Sequence, residues 1–370
     1  MANDSLDTVV LGTAPEDQIH EDLMDQIYDV SPEDRPFCDA TGSRSSSSRS
    51  VDWVREQLAT AVATNAAIEG EVAGANVATG GERLSNYHQI SEKVVKVSDR
   101  ASNTNTVGTS DELIKQVMKR QKELRRDEEA RYTSRLPAVA GNGTTTASET
   151  AGVGAWIGVP KITTGGTQVA ANTSDRGTSG TDPTLSGGAT GGGFPNAASD
   201  PATAQTLTES AIKDMMRAAF ENGGNPTMAM SVPTVIELLS DFLFTSSARV
   251  ATLQSNAPQG NRTDNGTGGG TSGGGITAQG AVNTFVTNFG TLELVPNRFQ
   301  PLSDTAEADL YLIDPSTWER SYLQGYETKP LARVGTAETR QMTVDYALVC
   351  LNPEANAVIA DIDLTADVTA

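Results

Sequence analysis

The sequence predicts an α+β protein in which one long charged helix, two shorter helices and a late set of strands share the chain. Three observations carry this. Residues 109–135 form the longest stretch with helical signals, residues 206–220 and 233–243 repeat apolar side chains at helical spacing, and strand signals concentrate after Val282. No repeat of roughly 20 to 50 residues is visible, which excludes a solenoid.

Composition narrows the function classes. The 370 residues, 37% of them hydrophobic, are enough for two or three cores, yet only 5% are aromatic, and small residues fill the difference. That balance suits an extended, layered protein. A formal charge of −20, from 47 acidic against 27 basic residues, opposes any grip on a nucleic-acid backbone. His20 and His88 are the only histidines, which by count nearly excludes a histidine metal site or a serine–histidine triad. Cys38 and Cys350 lack zinc or CxxC spacing and read as two buried, reduced thiols. No apolar run reaches the length of a membrane helix and no signal peptide opens the chain, so synthesis in the cytoplasm without membrane insertion is expected.

Residues 1–35 are acidic and weakly patterned, with one short helix expected over 17–30 on Ile19, Leu23 and Ile27. The turn at Asp34-Arg35-Pro36 leads into an extended segment. This is an arm, and an arm takes its stability from another surface. Val51–Arg55 and 84–97 then read as two extended runs joined by the small, flexible residues 59–81, with Glu69-Gly70-Glu71 at the centre. An isolated hairpin of this kind is marginal in water and needs something to lie on.

The long helix starts on a capping-box pattern, Thr109-Ser-Asp-Glu112, and carries a narrow stripe of Leu113, Val117 and Leu124 flanked by Ile114 and Met118. Charges crowd the rest of its surface, with opposite signs four apart at Arg125/Glu129 and Asp127/Arg131. With Pro137 beyond its end, it is a rod of roughly 40 Å. Residues 141–201 are rich in Gly, Thr, Ser and Ala around one apolar island, Val153 to Pro160. Thr206 to Glu209 is a second capping box, followed by Ile212, Met215, Met216, Ala219 and Phe220, and Asn222-Gly223-Gly224 ends that helix. A short strand over 227–231 precedes a helix opened by Pro233, whose Val235, Leu238, Leu239, Phe242 and Leu243 face inward. Residues 260–275 are glycine-rich but no Gly-Lys-Ser/Thr follows, so a phosphate cradle is excluded. Strands are expected over 284–286, 292–295, 310–313, 342–350 and 357–362.

Catalytic signals are thin. Asp309, Asp314 and Glu319 are scattered carboxylates, and Asp361 with Asp363 resembles a metal pair by spacing alone. No enzyme, catalytic residue, metal or cofactor is expected. An isopeptide crosslink needs a lysine on the hairpin, and residues 43–83 contain none.

Local stretches in order along the chain carry a family resemblance: Arg35-Pro36-Phe37, Glu69-Gly70, Gly154-Ala-Trp156-Ile157, Glu221 to Pro226, Asn288-Phe289-Gly290 with Pro296-Asn-Arg298-Phe299, Asp314 to Trp318, and Asn352 to Ala355. With the hairpin, long helix and mixed body in sequence, the chain resembles the major capsid proteins of tailed bacteriophages, of the HK97-type fold. The resemblance implies an N-terminal arm over 1–42, an extended loop over 43–105, a peripheral domain over 106–205 with a spine helix, an axial domain over 206–335, and return strands over 336–370. It implies self-assembly into hexamers and pentamers of an icosahedral or prolate shell around double-stranded DNA, with a portal, a separate scaffolding protein and in some relatives a decoration protein. Contacts between subunits are expected at Glu69, Gly70 and Glu71 on the loop and at Arg120, Arg125, Arg126 and Glu129 on the helix. A nanocompartment shell of encapsulin type shares these implications except for cargo, and a surface-layer or adhesin protein is the alternative from a different class.

Overall fold

The computed structural model describes residues 29–58, 61–70, 72, 74, 80–104, 111–162, 168–187, 192–197, 203–245, 284–304, 306–333 and 335–365. The elements in chain order are α1 (Pro36–Ala40), β1 (Gly42–Ser45), β2 (Ser50–Arg55), β3 (Glu82–Tyr87), β4 (Gln89–Ser98), α2 (Asp99–Ser102), α3 (Glu112–Tyr132) and α4 (Val153–Trp156). Five short strands follow, β5 (Lys161–Ile162), β6 (Gln168–Val169), β7 (Ser174–Asp175), β8 (Thr184–Leu185) and β9 (Pro195–Ala197). Then come α5 (Glu209–Glu221), β10 (Met228–Ser231), α6 (Pro233–Thr245), β11 (Thr284–Thr287), β12 (Gly290–Pro296), β13 (Glu307–Ile313), β14 (Trp318–Pro330), β15 (Ala337–Cys350) and β16 (Ala357–Asp363). The chain divides into two units: residues 1–32, 93–122 and 328–342 form one, and residues 33–92, 123–327 and 343–370 the other. β4, α3, β14 and β15 each contribute residues to both.

In the larger unit the core is a six-stranded sheet ordered β11-β12-β10-β13-β16-β7. Ile212, Met216 and Ala219 of α5 and Val235 and Leu239 of α6 bury against Phe285, Leu292, Leu310 and Ile359 of the strands. α5 begins where the Thr208 hydroxyl accepts from the Ala211 amide, two positions past the Thr206 of the expected box. It ends as expected: Gly223 takes φ +84°, and Gly224 N donates to Ala219 O at 2.9 Å. Gly224 is obligatory, because a Cβ there would lie 2.3–2.6 Å from the Ala355 backbone. The expected inward residues Phe242 and Leu243 lie outside the residues whose side chains are described.

A second sheet is ordered β1-β14-β15-β4. The C-terminal part of α3 shares an aromatic core with it, where Tyr132 packs 6.1 Å from Phe37 and 5.3 Å from Tyr346, and Phe37 packs 6.0 Å from Trp318. The Trp318 indole N–H donates to Asn356 Oδ1 at 2.9 Å, as a buried indole requires.

Several expectations change. Asp111 caps α3, accepting from Leu113 N at 3.0 Å and Ile114 N at 3.2 Å; Thr109 lies outside the described residues. The helix closes at Tyr132, short of Arg135. Pro36 opens a short helix instead of an extended segment, because proline suits the first helical turn. The extended run over 84–97 is two strands. They part at His88, whose amide donates to Arg49 O at 3.1 Å, so that β3 pairs with β2 while β4 joins the second sheet. β14 carries little strand signal, because Gly325 interrupts it and Gln324, Glu327 and Lys329 break its apolar alternation. The apolar island is a true core segment, with Val153, Ala155, Trp156, Ile157 and Val159 all buried.

Candidate assembly surfaces

The hairpin of β2 and β3 is built antiparallel in the register Ser50↔Tyr87 to Arg55↔Glu82. Alternation decides its two faces: Val51 and Trp53 turn in while Asp52 and Val54 turn out. Trp53 packs 5.2 Å from Trp156, so the apolar island of the Gly/Thr-rich segment anchors the base of the hairpin. Tyr87 meets Phe194 of the same segment at 4.9 Å.

Where the hairpin leaves the body, charges clamp it. The Arg55 guanidinium donates to Glu82 at 2.5 Å, to Glu354 at 3.1 Å and to Pro160 O at 2.8 Å, and Glu82 also accepts from the Gly192 amide. Burial pushes the Glu354 carboxyl above its ordinary range, while Arg55 and Lys161 act against that rise. Beyond the clamp, the described tip residues are exposed. Leu58 is 93% exposed and Val72 89%, and Val62 and Ile68 are also open. Large apolar side chains so uncovered on one projection mark a contact surface. Glu69 and Gly70 sit in a turn there, with Gly70 at φ +82°, and Glu71 lies outside the described residues.

The long helix α3 carries its charges differently from the expectation. Arg125 is exposed and its guanidinium stacks 5.3 Å from the Tyr326 ring centroid, and Arg126 lies 4.8 Å from that of Phe299. Arg120 is half-buried. Glu129 is a correction. It is fully buried, and its oxygens accept from Phe37 N and Cys38 N, each at 2.9 Å, and from Asn297 Nδ2 at 2.8 Å. Its carboxylate therefore binds α1 of its own chain at the helix N-terminus, where bare amides and the dipole favour an anion. Glu128 is buried too, accepting from the hydroxyls of Tyr322 and Tyr326 on β14. Helical charge spacing alone read both as solvated. Tyr322 and Tyr326, four apart on one strand and therefore on one face, are a signal for an inside acceptor such as Glu128, and nothing comparable in the sequence points to Glu129.

The scattered carboxylates are structural. Arg135 donates to Asp309 and, at 2.6 Å, to Asp361, and the Tyr311 hydroxyl donates to Asp309 at 3.0 Å. Asp361 holds φ +57° on β16, next to a register shift in β13, and this geometry turns both carboxylates to one guanidinium. Asp314 caps a short 3-10 turn through Ser316 N at 3.1 Å. Among the described residues, no group of three or more His, Cys, Asp or Glu is placed to hold a metal. Both cysteines are buried and free, and burial pushes each thiol up, with Glu129 and Glu128 adding to the rise at Cys38. No described helix is long and apolar enough to cross a membrane.

Known proteins share this arrangement. The capsid of a native GTA particle superposes with a TM-score of 0.53 at 10% identity, covering 95% of this chain and 98% of that one. The structure titled Mycobacterium phage Bobi gives 0.52 at 11% identity, covering 96% and 98%. The Cyanophage A-1(L) capsid gives 0.52 at 14% identity, covering 94% and 98%. At such identities the likeness shows the fold, which is the HK97-type capsid fold. In sequence, the major capsid protein of Escherichia phage Phieco32 is 38% identical over 98 residues, a match that spans 26% of this chain and 28% of that protein. A family model described as SU10 major capsid protein matches residues 4–363, and the chain belongs to that family.

Proposed function

We propose that this chain assembles with copies of itself into the head shell of a tailed virus, as hexamers and pentamers of an icosahedral or prolate lattice enclosing double-stranded DNA. The observation that carries the reading is the apolar tip of the β2–β3 hairpin, open to solvent beyond the Arg55–Glu82–Glu354 clamp. Each side chain such as Leu58 or Val72 gains on the order of 1.5–3 kcal/mol on full burial, and a neighbouring subunit supplies the burial. Membership of a major capsid family supports this over a cargo-filled nanocompartment or an adhesin.

In this reading residues 1–42 are an arm, 43–105 the loop that reaches a neighbour, and 106–205 with 336–370 a peripheral domain around α3. Residues 206–335 then form an axial domain that meets its copies at the symmetry axes. Glu69, Gly70 and Glu71 contact the neighbour at the tip, and Arg120, Arg125 and Arg126 on α3. The partners are a portal and a scaffolding protein, with space for a decoration protein, and no membrane. The net charge of −20 keeps packaged DNA from adhering to the wall without any sequence-specific contact. The role is structural rather than catalytic. The experiment is negative-stain electron microscopy of the full chain, expressed alone and with candidate scaffold genes. Closed shells or six- and five-membered rings support the reading, and a monodisperse monomer in both conditions contradicts it.

A further inference from the structure

Two surfaces of the chain combine uncovered apolar side chains with charge of opposite sign. Over residues 56–81 the hairpin tip has three acidic residues, Glu56, Glu69 and Glu71, and no lysine or arginine. Leu58, Val62, Ile68 and Val72 are its exposed apolar side chains. The first half of α3 has the reverse balance, with Lys115, Lys119, Arg120 and Lys122 against Asp111 and Glu112. Among those cations Ile114 and Met118, four apart and so on one side of the helix, are 56% and 54% exposed. Lys115 approaches Glu112 at 3.6 Å and Lys122 approaches Asp29 at 3.5 Å, yet cations still outnumber acids on this face.

Sign decides which of these surfaces can meet. Tip against tip sets carboxylates against carboxylates, and helix against helix sets cations against cations; each like-charge pairing opposes the gain from covering the apolar side chains. Tip against helix pairs the charges and covers Leu58, Val62, Ile68 and Val72 together with Ile114 and Met118. In such a contact the surface a copy gives differs from the surface it receives, and a heterologous contact of this kind closes copies into rings. We propose that the hairpin tip of one copy docks on the Ile114–Met118 face of α3 in the next copy, with Glu69 set among Lys115, Lys119 and Lys122. This docking rests on the shell-building reading and names the surface that receives the tip.

Two full-length chains are expressed with the scaffold genes and co-assembled, one isotopically heavy and carrying Ile68→Cys, the other light and carrying Met118→Cys. Diamide oxidation and peptide mass mapping should find a disulfide from position 68 of a heavy chain to position 118 of a light one. The bond should be lost when Phe220→Cys, at a residue 55% exposed on α5, replaces Met118→Cys. Adding Glu69→Lys to the heavy chain should abolish the bond, and adding Lys115→Glu and Lys119→Glu to the light chain should restore it. Peroxide footprinting needs no substitution: Met118 should oxidise in the dispersed wild-type chain and be shielded in the assembled one. Rings or shells that form without the bond, or that leave Met118 open to peroxide, overturn the docking and leave the shell-building reading standing, whereas the absence of any ring or shell overturns both. A bond formed within one dispersed chain that carries both Ile68→Cys and Met118→Cys assigns the tip to its own α3 and overturns the docking as well.

Discussion

The interior is specified by charges as much as by apolar residues. Glu129 holds α1 by two amides and reaches Asn297, so Glu129→Ala leaves three buried donors unpaired. A loss of about 2–4 kcal/mol in unfolding free energy is expected, measured by urea titration. Burial raises the Glu129 carboxyl above its ordinary value, with hydrogen bonds from Cys38, Phe37 and Asn297 opposing. The folded chain thus binds this proton more tightly than the unfolded chain, and the linked stabilisation is full at low pH and is lost as pH rises through the raised value. Glu129→Gln lacks that titration, so the deficit of the variant relative to wild type should grow as pH falls from 7 toward the ordinary glutamate range. A deficit that shrinks on acidification would contradict the assignment. Arg135 is the reverse case, one cation between Asp309 and Asp361, both buried. Arg135→Met strands two carboxylates and should cost about 3–5 kcal/mol, whereas a simultaneous Asp309→Asn, Asp361→Asn change should recover part of it. None of this was legible in the sequence. Arg135 precedes Asp309 by 174 residues and Asp361 by 226, and only the fold brings them together.

Elements were legible where one physical rule dominates. α5 declared its C-terminal end, since Asn222-Gly223-Gly224 is a local device that acts within one turn, whereas its start falls at Thr208, two residues past the Thr206 that the capping-box spacing indicates. The hairpin base was legible from alternation in Val51 to Arg55. Its boundary was not, because only the Arg49–His88 contact tells the chain where β3 stops and β4 begins. The charged belt of α3 misled for a related reason: spacing pairs Arg125 with Glu129, whereas the fold turns Glu129 inward and lays Arg125 on Tyr326. A test at this scale follows from the clamp, which separates the tip from the body. Replacing 58–80 by a short glycine–serine turn should leave the melting temperature of the unassembled chain within a few degrees, since the described residues of that stretch bury little. The same change should abolish ring and shell formation. Loss of folding together with assembly would show that the tip serves its own body.

At the scale of the whole molecule, the described residues gather uncovered apolar side chains at the hairpin tip, while the charged residues that are buried pair with one another or with buried hydroxyls and amides. That distribution suits a subunit awaiting a neighbour, and it agrees with the family and fold to which the chain belongs. In the proposed shell, the acidic balance would act at this scale as well, discouraging adhesion of nucleic acid to the wall. Release of packaged DNA from opened particles should therefore need no high salt, and retention that falls only as salt rises would contradict a repelling wall. The central claim is that a neighbour completes the hairpin, and cryo-electron microscopy of assembled particles tests it most directly. The account predicts Leu58, Val62, Ile68 and Val72 buried against an adjacent copy, with the Arg55–Glu82–Glu354 clamp intact at the base; a hairpin folded back on its own subunit, or a tip still in solvent within the closed lattice, would contradict it.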